Sequence, residues 1–85
     1  MIKLILVGVD TSFSKLTVDI EQWLRNNYGD SKEISYTVHQ IQTRIHYSSI
    51  TEINVDFHTE ESYNYFRLIF NDRYEKYLKE VKYQW

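Results

Sequence analysis

The segment from Ile2 to Val9 constrains this chain most, because it is β-branched and leucine-rich, nearly continuous in apolarity, and closes at Gly8 and Asp10. A run of that length and composition reads as a central strand buried on both faces, around which everything else must be arranged. With 85 residues in all, no chain is left over for a second core, so residues 1–85 are read as a single domain.

Asp10, Thr11 and Ser12 are successive helix N-cap candidates. Behind them Phe13, Leu16, Ile20, Trp23 and Leu24 fall at helical spacing, and Gly29 follows Tyr28 as a left-handed stop, which predicts a first helix over 13–27. From Glu33 the period becomes two: Ile34, Tyr36 and Val38 alternate with Ser35, Thr37 and His39. The parity then changes, with Ile41, Ile45 and Tyr47 on odd numbers, which predicts a bulge near 39–41. A turn at Ser48 and Ser49 leads to a third strand in which Ile53, Val55 and Phe57 alternate with Glu52, Asn54, Asp56 and His58. Thr59, Glu60 and Glu61 then start a helix with a cap and two first-turn carboxylates. Its stripe of Tyr63, Phe66, Phe70, Tyr74, Tyr77, Val81 and Trp85, spaced by three or four, predicts one long helix to the last residue. The expected architecture is a small α+β domain in the order βαββα, a three-stranded sheet with two helices packed on one face.

Composition narrows the chemistry. The absence of cysteine removes disulfides, thiolate metal sites and thiol nucleophiles, and points to a cytoplasmic setting. No apolar run reaches membrane-spanning length, and the chain shows no signal-peptide cleavage site. A formal charge of −2, with ten Lys and Arg interspersed among twelve Asp and Glu, leaves no electrostatic footprint for a polyanion. It is equally too mild for a mimic of nucleic-acid charge.

The local motifs are incomplete. Gly8 to Leu16 lies over the phosphate-loop pattern after a strand and at a helix start, but Ser14 stands at the second glycine and Leu16 where magnesium needs a hydroxyl. What survives is an anion site built from Thr11, Ser12, Ser14 and Lys15 within the 10–15 helix start. A turn at Ser49 would bring His58 opposite Gln40 and near His39, yet no metal-binding spacing accompanies them, so no metal and no cofactor are expected. Hydroxyls and carboxylates lie in caps and on alternating strand faces, and the chain is read as no enzyme. Base stacking on the sheet is disfavoured because Tyr36, Tyr47 and Phe57 take the inner face, with Arg44 and Lys32 the only helpful cations.

The last segment carries an excess. Beside the stripe, Tyr65, Leu68, Ile69 and Leu78 widen the apolar arc beyond what a small sheet requires, and Tyr83 and Trp85 end the chain in aromatics. Tyr65, Leu68, Ile69, Tyr83 and Trp85 are therefore the expected partner-binding residues of a non-enzymatic protein-binding module. The absence of Ala and Pro beside abundant Ile, Tyr, Asn and Lys suggests an A+T-rich genome, and with it a phage or mobile-element accessory protein that inhibits a host or defence enzyme. The expected partner is another protein, with a homodimer formed through this arc or through an unblunted edge of strand three. The alternatives are a small-ligand or anion-binding domain at the helix start, and a nucleic-acid-binding domain.

Overall fold

The computed structural model describes residues 1–29, 31–42 and 49–84. The chain runs β1 (Ile2–Gly8), α1 (Thr11–Asn27), β2 (Ile34–Gln42), β3 (Ser49–Phe57), α2 (Glu60–Phe70), two single-turn 3₁₀ segments (Asn71–Arg73 and Glu75–Tyr77) and β4 (Leu78–Tyr83). The four strands form one antiparallel sheet in the order β2-β3-β1-β4, the split-βαβ arrangement. It is a small α+β domain, as its sequence pattern requires, with one strand more than the expected three.

β1 is central, between β3 and β4. Its Ile2, Leu4 and Leu6 meet Phe57, Val55 and Ile53 in register, and Phe13, Leu16, Ile20 and Leu24 of α1 with Tyr63, Phe66 and Phe70 of α2 complete the core above them. Among the described residues, no helix covers the other face of β1. There Ile5 is still only 8% exposed, with Asn54 and Glu80 flanking it in register. Continuous apolarity thus reflects a central strand whose second face is shielded by neighbouring strands rather than by another layer.

Two glycines are required by geometry. A Cβ at Gly8 would collide with the Phe13 ring, so the first turn of α1 can close on β1 only without it. Gly29, at φ +40°, takes the left-handed conformation that ends α1, its N–H donating to the Leu24 carbonyl.

The largest departure from the sequence pattern follows α2. The expected continuous helix stops at Phe70, and Leu78–Tyr83 is a strand paired with β1. A central β1 carries backbone donors and acceptors on two edges, and only a fourth strand satisfies the second. Glu80, Val81, Lys82 and Tyr83 alternate polar and apolar, fitting a strand as well as a helix face, and the 3₁₀ turns let Tyr74 and Tyr77 stay in the core while the chain reverses.

The hairpin also differs from expectation. Every β2–β3 partner keeps one constant register from Ile34↔Phe57 to Gln42↔Ser49, so the bulge expected near 39–41 is absent. Gln40, opposite Thr51, takes the helix-facing parity of Val38, so the alternation continues through the position where the bulge was expected. The register irregularity lies instead between Ile5 and Leu6 against β4. Ser49, expected in the turn, is already in β3, while Arg44, Ile45, His46, Tyr47 and Ser48 lie outside the described residues. β3 is interior, so the open edges belong to β2 and β4.

Candidate functional site

The helical rotation of α2 divides its side chains into a buried row and three exposed apolar positions. Ser62, Tyr63, Phe66 and Phe70 face the core. Leu68 points away from the sheet and is 75% exposed, and Tyr65 and Ile69 stand beside it on the flank toward α1. Tyr65 stacks on Trp23 of α1, with ring centroids 5.4 Å apart and planes 22° from parallel. Trp23 in turn meets Tyr28, Phe66 and Phe70 edge-on, so the exposed Tyr65 ring rests on an aromatic base.

The expected partner-binding residues therefore do not form one stripe. Tyr65, Leu68 and Ile69 are brought together, but Tyr83 lies on β4, where its ring meets Tyr63 edge-on at 6.4 Å on the opposite flank of α2. A strand in place of the long helix is the reason for that separation. Trp85 lies outside the described residues. Trp23 was missed as part of the surface because its helical spacing marks it for the core; it is half-buried and takes part in both.

The start of α1 is occupied by its own cap. The Asp10 carboxylate accepts from the Phe13 N–H at 2.7 Å and from the Tyr77 hydroxyl at 2.9 Å. The Phe13 amide first, and Tyr77 second, hold this carboxyl below its ordinary range. Thr11, Ser12, Ser14 and Lys15 are all exposed. Ser12 and Lys15, with Leu16, line an open groove of about 490 Å³ against Asp72, Arg73, Lys76 and Tyr77. Folding thus places Lys15 near two cations from a segment distant in sequence, while Asp19 pairs with Arg73 at 2.6 Å and Asp72 lines the same wall.

The outer sheet face carries Ser35, Thr37 and His39 of β2, Glu52, Asn54 and Asp56 of β3, Lys3, Ile5 and Val7 of β1, and Glu80 and Lys82 of β4. It holds no aromatic ring at these positions, and ion pairs of Lys3 with Asp56 (3.8 Å) and Lys79 with Glu52 (3.5 Å) cross it. Tyr36 and Phe57 lie on the helix-facing side. His58 stands beside Glu33 and Ser35, its Nε2 3.4 Å from the Ser35 hydroxyl, rather than opposite Gln40, because the hairpin register differs from the one a turn at Ser49 would impose. His39 faces Glu52 instead. No metal-ligating cluster occurs among the described residues, and no helix there is long and apolar enough to cross a membrane. Comparison with protein-family models, curated proteins and solved structures gives no match.

Proposed function

We propose that this chain is a cytoplasmic, non-enzymatic protein-binding module that acts by occupying a surface of another protein, and that it serves as a phage or mobile-element inhibitor of a host or defence enzyme. The observation that carries this reading is the Tyr65, Leu68 and Ile69 patch, which projects large apolar side chains from a helix whose own core face is already filled. The Trp23–Tyr65 stack supports it further, since a rigid aromatic anchor loses little conformational freedom on binding. Tyr83 is a peripheral contact in this reading.

The test is a pull-down with the whole chain, followed by calorimetric titration of the recovered protein with single alanine variants. Tyr65→Ala or Leu68→Ala should cost about 2 kcal/mol of binding, the level of a hot spot, with Leu68→Ala leaving the unfolding midpoint in place. Unchanged binding across Tyr65→Ala, Leu68→Ala and Ile69→Ala would sink the proposal.

One observation favours a second reading, a small-ligand or anion-binding domain: Ser12 and Lys15 share a groove with Arg73 and Lys76. Inorganic phosphate should then raise the melting temperature through preferential binding to the native state, and Lys15→Ala should abolish the gain. Nucleic-acid binding draws no support from the described residues of the outer face, which are of mixed charge and carry no stacking ring.

A further inference from the structure

Of the two sheet edges among the described residues, β2 is the less guarded. Ile34–Gln42, with sequence ISYTVHQIQ, contains no Lys, Arg, Asp, Glu, Pro or Gly over nine residues, and its pairing with β3 is free of register shifts. Sheet edges are ordinarily protected from pairing with another strand by charge, proline, bulges or short length, and β2 has none of these.

The backbone parity shows what this edge offers. The His58 N–H donates to the Glu33 carbonyl at 2.8 Å, which makes these two a hydrogen-bonded pair at the end of the β2–β3 ladder. Alternation along an antiparallel ladder then turns the N–H and C=O groups of Ser35, Thr37 and His39 toward β3. Those of Ile34, Tyr36, Val38 and Gln40 point outward. On the helix-facing side of the same strand, Tyr36 and Val38 are each left 37% exposed.

We propose that a second copy of this chain pairs antiparallel along β2, about a two-fold axis at Tyr36, so that the two four-stranded sheets become continuous. The strand is self-complementary about that residue. Ile34 meets Val38 of the second copy and Tyr36 meets its own counterpart, each through the outward backbone groups. Ser35 meets Thr37, and Glu33 meets His39, setting a carboxylate opposite an imidazole that can donate to it. An axis at Val38 would instead put Ile34 opposite Gln42 and Tyr36 opposite Gln40, wasting both apolar side chains. A closed two-fold arrangement consumes both β2 edges and leaves only the charged β4 edges at the ends. Tyr65, Leu68 and Ile69 lie on α2 rather than on β2, so self-association and capture of a different partner call on different residues and can be tested separately.

The experiment is light scattering over a concentration range on the whole chain, with three variants. The unaltered chain should rise from the monomer mass of 10.4 kDa to twice that value. Val38→Pro deletes an outward N–H without cutting the β3 ladder, and Tyr36→Lys sets two ammonium groups against each other across the axis; both should hold the monomer mass at the highest concentration with unchanged circular dichroism. Leu68→Glu should leave the dimer intact. A chain that stays monomeric throughout overturns the proposal, as does a dimer that survives Tyr36→Lys or one that Leu68→Glu alone dissolves. If Val38→Pro fails to fold, Tyr36→Lys decides, because that side chain is over one-third exposed. Loss of partner binding in Leu68→Glu with the dimer retained would separate this proposal from the function proposed for α2.

Discussion

The two edges of the sheet were built on opposite principles. β4 is six residues long, carries Lys79, Glu80 and Lys82, shifts register against β1, and follows two 3₁₀ turns that tie it to α1 through the Tyr77–Asp10 hydrogen bond. β2 is nine residues long, uncharged and regular. Charge along β4 does little for stability, since exposed ion pairs contribute at most about 1 kcal/mol, but it discourages a further strand from adding there. The difference teaches that open edges in one small sheet need not be equivalent: one is closed by design of its side chains, the other is left able to pair.

The sharpest way to break the comparison is proline substitution by parity. Thr37→Pro removes a ladder bond to β3, and Lys82→Pro removes one to β1, and each should cost about 3 kcal/mol in chemical denaturation. Val38→Pro, whose N–H points outward, should cost far less in the monomer. Equal costs at positions 37 and 38 would mean that the outward groups of β2 are misassigned.

Alkaline titration addresses the β4 side. Burial pushes the Tyr63 hydroxyl up to about 12 from its ordinary 10.0, with Tyr83 of β4 as the next cause. The folded state therefore holds this proton more tightly than the unfolded one, so its contribution is complete below pH 10 and is lost as pH rises toward 12. Stability measured over that interval should fall in the unaltered chain and fall less in Tyr63→Phe.

Acid titration gives the complementary, smaller effect. Asp10 is held below its ordinary value of 3.8 by the Phe13 amide and the Tyr77 hydroxyl, so the stability it contributes is present above that pH and is lost as pH falls through the depressed folded value. Asp10→Asn should flatten that part of the acid limb, and Tyr77→Phe should reduce its slope. An identical limb in all three proteins would show that the cap does not tie β4 to α1.

The smallest thermodynamic change should come from replacing Lys79, Glu80 and Lys82 together by Thr. Denaturation midpoints should shift by less than about 1 kcal/mol, while light scattering should reveal new concentration-dependent association. If solubility and mass are unaffected, charge is not what guards this edge.

By itself, the sequence determined a good deal of this protein. Continuous apolarity made β1 central, Asp10 and Gly29 set the limits of α1, and Ile53, Val55 and Phe57 declared the inward face of β3, because each signal is local or has a period that only one element satisfies. The exposed Tyr65, Leu68 and Ile69 were legible for the same reason: α2 had more apolar residues than its core face could hold. Tertiary structure decided the rest. The segment from 78 to 83 suits a helix or a strand locally, and the unpaired edge of β1 chose the strand; that choice moved Tyr83 away from the α2 patch and brought Tyr77 to Asp10. Hairpin register likewise depended on which side chains found helices above them, and it set His39 against Glu52 and His58 beside Ser35. Periodicity specifies which face of an element is apolar, but only the completed sheet specifies which backbone edges and apolar faces still lack a partner.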